Sequence, residues 1–113
     1  MKTLTIIKPD DWHLHLREGV VLKNIIHFTS EFFGRAIVMP NTKTPITSVE
    51  SAISYKKSIV EALPESSKFE PLMTMYLTDE TNKGELLLKL FLLLGIKNRS
   101  YSSFYLDNKI FNN

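Results

Sequence analysis

The chain has no cysteine. That excludes a disulfide scaffold, a Cys-ligated zinc site, an iron–sulfur cluster and a thiol nucleophile. Long apolar runs are also missing. The longest, Leu86 to Leu94, is nine residues and is interrupted by Lys89, whereas a membrane span needs roughly 20. Met1 to Pro9 has too short an apolar run for a signal peptide. These absences together point to the cytoplasm and to no membrane partner. Charge of one sign is scarce too: 14 Lys+Arg stand against 12 Asp+Glu, for a net +2, and the one adjacent basic pair is Lys56-Lys57. A nucleic-acid footprint would be a basic patch or stripe, so no nucleic-acid partner is expected.

What remains is ordinary globular composition, 43% hydrophobic and 23% charged over 113 residues, enough chain for one domain with a real core. The pattern alternates strand and helix signals. Leu4 to Ile7 is a short β-favouring stretch that stops at Pro9. Asp11 to Leu16 alternates polar and apolar, as a strand with one special face does. Val20 to Phe33 places apolar residues at helical spacing, and Gly34 follows as a stop. Arg35 to Met39 is a short apolar run ending at Pro40-Asn41, as a buried parallel strand would. Thr47 or Ser48 can cap a second helix, with Glu50 or Ser51 three residues on; it runs to about Leu63 and ends before Pro64. Phe69 to Leu77 is a third strand candidate. Lys83 to Leu94 reads as a third helix, capped by Gly95.

Three βα units in series imply an α/β fold with a parallel sheet and right-handed crossovers. After Gly95 the character changes. Residues 96–113 have no clean period and are rich in Asn, Ser, Tyr, Phe, Lys and Ile, so the chain divides into residues 1–95 and an atypical tail, 96–113, of the kind a shifted reading frame produces.

The segment with chemistry in it is Asp10-Asp11-Trp12-His13-Leu14-His15-Leu16-Arg17. On a strand, residues two apart share a face. Asp11, His13, His15 and Arg17 then point one way, and Trp12, Leu14 and Leu16 point the other, into packing against helices. Two imidazoles on one strand face can hold one zinc ion from one side. Arg17 could grip a carboxylate with its two-pronged guanidinium. The plain alternative is a half-buried polar strand whose histidines are hydrogen-bonded or exposed. His27, the remaining histidine, falls within the first helix, where a surface or packed histidine is expected.

The same segment, followed by Gly34-Arg35-Ala36-Ile37-Val38-Met39-Pro40-Asn41 and by Pro71-Leu72-Met73-Thr74-Met75-Tyr76-Leu77-Thr78-Asp79, resembles dihydroorotase of the monofunctional bacterial type, in the amidohydrolase superfamily. The resemblance runs from residue 6 to about 85 and covers only the first third or so of a family member. It implies the N-terminal part, about three βα units, of a (β/α)8 TIM barrel. It implies a hydrolase that interconverts N-carbamoyl-L-aspartate and L-dihydroorotate in pyrimidine biosynthesis with two zinc ions. His13 and His15 match ligands of one zinc. His15, Arg17 and Asn41 match contacts to the substrate, which is the small-molecule partner.

The family's bridging carbamylated lysine has no match in this chain. Lys97 lies near its place in a segment unlike the family's strand, and Lys89 lies inside the helix pattern. The general-base aspartate and two further histidines belong to later strands. No catalytic residue is therefore carried over, and the chain is expected to be truncated and inactive alone. The alternative is a non-catalytic remnant, or a half-barrel that takes a complementing C-terminal chain or a second copy as partner. A small independent zinc-binding module is a third reading.

Overall fold

In a computed structural model, residues 2–81, 83, 84, 86 and 87 are described. Five elements follow in order: β1 (Asp10–Leu14), α1 (Gly19–Phe32), β2 (Arg35–Val38), α2 (Val49–Ala62) and β3 (Glu70–Met73). The strands form one parallel sheet in the order β1-β2-β3, with one helix in each crossover. This is the expected α/β arrangement.

The helix ends are set locally. Ser48 caps α2: its hydroxyl accepts the Ser51 N–H at 3.2 Å, while Ser51 Oγ accepts the Ser48 N–H at 3.2 Å. Each serine thus satisfies an N–H that the first helical turn leaves unpaired. The last turn closes with the Leu63 N–H on Val60 O at 3.2 Å, and Pro64 disfavours helical backbone at the residue before it. In α1 the Phe33 N–H reaches Thr29 O at 2.9 Å. Gly34 then turns the chain into β2, with its own N–H on Pro9 O at 2.8 Å.

The core lies on one side of the sheet. Leu16, Leu22 and Ile26 meet Ala36 and Val38 of β2, Val49, Ala52, Tyr55 and Ile59 of α2, and Met73 of β3. On β2 and β3 the alternation is clean: Ala36, Val38, Pro71 and Met73 are buried, and Arg35, Ile37, Glu70 and Leu72 are not. The second face, with Ile37 and Leu72, carries no helix among the described residues. A parallel sheet ordinarily has both faces covered.

Several expectations change. Leu4–Ile7 makes no strand and lies exposed, Leu4 at 84% and Ile7 at 94%. Pro9 has no N–H to give a ladder, and pairing starts only at Asp10. Trp12 is 74% exposed rather than packed on the helices. The cause is a slip in register: Asp11 stands level with Ala36 but Leu14 with Val38, three steps on β1 against two on β2. One extra residue reverses the alternation. Asp11 therefore falls out of step with His13 and His15, while Leu14 and Leu16 keep the helix side. Of the third helix, residues 83, 84, 86 and 87 are helical; its remainder, with Lys89, Lys97 and the 96–113 tail, lies outside the described residues.

Candidate active site

β1 ends at Leu14, before His15 and Arg17. The Met39 N–H still reaches Leu14 O at 2.8 Å, but Pro40 has no N–H with which to extend the ladder. His15 and Arg17 therefore sit in the loop after β1, not on the strand, and Asn41 sits in the loop after β2. All lie at the C-terminal end of the sheet, where α/β active sites form.

The slip in β1 has its own stabiliser. Asp11 Oδ1 accepts the His13 N–H at 2.9 Å, the short local bond that aspartate makes in turns. Beyond it, the His13 and His15 rings lie side by side, with centroids 4.9 Å apart and planes inclined at 53°. His15 Nδ1 is 2.9 Å from Asn41 Oδ1. An amide oxygen only accepts, so Nδ1 carries the proton and donates, which leaves the Nε2 lone pair of His15 free.

Arg17 Nη1 donates to the Asn41 backbone carbonyl at 3.4 Å. Arg17 has φ +58°, the left-handed region, which costs an L-residue roughly 1–2 kcal/mol. Its carbonyl oxygen accepts the Tyr55 hydroxyl at 2.6 Å. Next along the chain, Glu18 Oε2 accepts the Lys43 N–H at 2.7 Å, which ties the two loops together. The second loop is fixed at its far end by Ile46 N–H on Pro40 O at 3.0 Å and by Tyr76 N–H on Ile46 O at 2.8 Å. Thr74 Oγ1 donates to Val38 O at 2.5 Å, joining the end of β3 to that of β2.

Burial pushes the Tyr55 phenol up to about 12; the negative charge of Glu18 adds to the rise and the positive charge of Arg17 opposes it. Tyr55 thus remains a donor at neutral pH. Sequence reasoning missed this residue, although a signal exists. Tyr55 lies between Ala52 and Ile59 on the buried stripe of α2, and a buried tyrosine needs a partner for its hydroxyl.

The sequence-derived residues are thus brought together: His13 near the end of β1, His15 and Arg17 in the loop after it, and Asn41 in the adjoining loop after β2. His27 is apart from them, exposed on α1 with its ring 3.9 Å from that of Phe28. Two neighbouring imidazoles, one with its tautomer set by an acceptor, fit one side of a zinc ion, which takes four donors. The remaining donors are absent among the described residues, where no group of three or more His, Cys, Asp or Glu is placed to hold a metal ion. Among those residues, no helix is long and apolar enough to cross a membrane.

No family model matches the chain. Curated proteins do match it. The dihydroorotase of Cronobacter sakazakii is 56% identical over 85 residues, covering 75% of this chain and 24% of that protein. That of Neisseria meningitidis is 59% identical over 80 residues, 71% of this chain and 23% of the relative. That of Synechocystis is 54% identical over 87 residues, 77% and 25%. The chain therefore spans about a quarter of the length of the curated relatives it matches. Among solved structures, a crystal structure of dihydroorotase from Campylobacter jejuni has a TM-score of 0.67 at 32% identity, covering 72% of this chain and 23% of that one. The dihydroorotase of Saccharomyces cerevisiae, crystallised with 5-fluoroorotic acid, has a TM-score of 0.60 at 27% identity, covering 71% and 21%.

Proposed function

We propose, from the premise that the first three quarters of this chain correspond in sequence and fold to the N-terminal portion of the dihydroorotases, that it supplies the β1–β2 corner of a dihydroorotase active site. The reaction is the interconversion of L-dihydroorotate and N-carbamoyl-L-aspartate, a cytoplasmic step of pyrimidine biosynthesis. The observation that carries this reading is the meeting of His15 and Arg17 on one residue, Asn41, through its side chain and its backbone.

Each residue has a role its chemistry suits. His13 and His15 hold one side of a zinc site, and Asn41 keeps His15 in the tautomer that presents Nε2. When bound, zinc polarises a carbonyl oxygen and lowers the pKa of bound water. Arg17 holds the substrate carboxylate with a planar fork that lysine cannot reproduce. Asn41 is a further substrate contact. The bridging lysine, the general-base aspartate and the other histidine ligands of the family have no counterpart among the described residues.

A second reading is that this chain is a half-barrel completed by a separate polypeptide. It is favoured by the bare sheet face that exposes Trp12 and half-exposes Ile37 and Leu72. β1 and β3 are also the outer strands of the sheet, and unpaired strand edges seek partners.

The test is co-expression of the 113-residue chain with the part of the Cronobacter sakazakii relative that this chain does not cover. The two should co-purify and turn over L-dihydroorotate at a rate that a zinc chelator abolishes, while the chain alone stays inactive. In that complex His15→Ala should lose one zinc and essentially all activity. Retention of both would refute the ligand assignment, and failure to co-purify would count against the half-barrel.

A further inference from the structure

Residue 17 is an arginine at φ +58°, a conformation that a non-glycine residue keeps only where its surroundings hold it. Beside the bond that opens α1, from the Leu22 N–H to Glu18 O at 3.4 Å, three bonds surround this turn. Arg17 O accepts from the Tyr55 hydroxyl at 2.6 Å. Glu18 Oε2 accepts the Lys43 N–H at 2.7 Å. Arg17 Nη1 donates to Asn41 O at 3.4 Å. The last two join one loop to another. Of these three, the one that engages the Arg17 backbone comes from a regular element: Tyr55 is 6% exposed on the stripe of α2 that also buries Val49, Ala52 and Ile59. The core thus reaches the Arg17 carbonyl through one phenol.

The geometry assigns Tyr55 the role of a positioning residue. Its hydroxyl holds the Arg17 backbone in the left-handed turn and so aims the guanidinium across the Asn41 loop. The inference rests on the proposed reading of Arg17 as the carboxylate grip. Tyr55 itself touches no substrate. Phenylalanine would fill the same space in the core and give no donor to the turn.

The experiment uses the whole zinc-loaded chain and its Tyr55→Phe variant, followed by NMR. In the parent chain, the one-bond Cα–Hα coupling of Arg17 reports positive φ. In Tyr55→Phe it should move to the negative-φ range, and the amide signals of Glu18, Asn41 and Lys43 should shift with it. Glycine takes positive φ without strain, so adding Arg17→Gly to Tyr55→Phe should return the Glu18 and Lys43 signals to their parent positions. Should Tyr55→Phe alone prevent folding, the double variant is expected to fold again. A double variant that stays unfolded would make Tyr55 a core residue only and overturn the assignment. So would an Arg17 coupling unchanged in a folded Tyr55→Phe.

N-carbamoyl-L-aspartate is the probe for function. It should bind Tyr55→Phe at least threefold more weakly than the parent, with zinc affinity at His13 and His15 unchanged. Equal binding overturns the inference. If the parent gives no response at Arg17 while Tyr55→Phe still moves the turn, the carboxylate reading alone fails.

Discussion

His15 Nδ1 lies 2.9 Å from Asn41 Oδ1, so the imidazole that follows β1 is oriented by an amide that follows β2. Strand pairing brings the two loops side by side, because Leu14 stands level with Val38 and the Met39 N–H still reaches Leu14 O. The candidate metal ligand and its orienting acceptor are thus a consequence of parallel pairing, although 26 residues separate them in sequence.

Replacing Asn41 should weaken metal binding without removing a ligand. Acceptors that orient ligating histidines are typically worth about 10–100-fold in metal affinity. Asn41→Leu is therefore expected to lower zinc affinity about tenfold or more, read by titration against a chelating dye. His13→Ala serves as the comparison that deletes a ligand outright. An Asn41→Leu affinity equal to the parent's would show that the His15 tautomer does not depend on this bond.

The first two helices and the strands β1 and β2 were legible to within a residue or two, because their signals are local, whereas the third strand was expected to run on to Leu77 and ends at Met73. Ser48 with Ser51, Gly34, and the apolar runs at Arg35–Met39 and Val49–Leu63 each act on their own neighbours. The misses have a common physical origin in pairing. Leu4–Ile7 has β-favouring residues but no partner strand among the described residues. Trp12 and Asp11 change sides because one extra residue on β1 faces β2, and no local pattern announces a slip in register. His13, His15, Arg17 and Asn41 could be picked out as a set. The left-handed turn at Arg17 could not, since it depends on a phenol 38 residues away.

Tyr55 should titrate apart from an ordinary tyrosine. Its phenol is pushed from 10.0 up to about 12 in the folded chain, by burial first and by Glu18 second. The neutral form is thus favoured on folding. The stability this contributes is present in full below pH 10 and is lost as the pH rises from about 10 toward 12. Absorbance at high pH should reveal one late-titrating phenol, missing in Tyr55→Phe. The unfolding midpoint of the parent should also fall more steeply over that interval than the variant's. A parent with no late phenol would place Tyr55 in water.

At the opposite end of the sheet, Asp10 and Arg35 form a two-pronged ion pair across β1 and β2. Arg35 Nε is 3.1 Å from both carboxylate oxygens, and Nη2 also bonds Oδ2. The hydrogen bond from Arg35 holds the Asp10 carboxyl below its ordinary 3.8. A lowered carboxyl stabilises the fold above its unfolded value, and the contribution disappears as the pH falls through the folded one. The thermal midpoint should therefore drop on acidification below about pH 3.8, and Asp10→Asn should flatten that part of the profile. Because the pair is exposed, the effect at neutral pH is expected to be small and to shrink in high salt.

The two faces of β2 should respond oppositely to a new charge. Val38 is fully buried beneath the helices, whereas Ile37 is half-buried on the bare face beside Leu72. A carboxylate at 38 would be desolvated without a partner, so Val38→Asp should abolish folding of the chain. At 37 the charge keeps contact with water, and Ile37→Asp should cost the isolated chain only about 1 kcal/mol, the scale of strand propensity. In a closed barrel that same face is packed by side chains from the other strands. Ile37→Asp should then block co-purification with the complementing polypeptide and any activity recovered with it. Urea denaturation of each variant alone, set beside pull-down of the complementing polypeptide, separates the two effects. An Ile37→Asp chain that folds and still yields an active complex would mean that the bare face is not where the rest of the barrel packs.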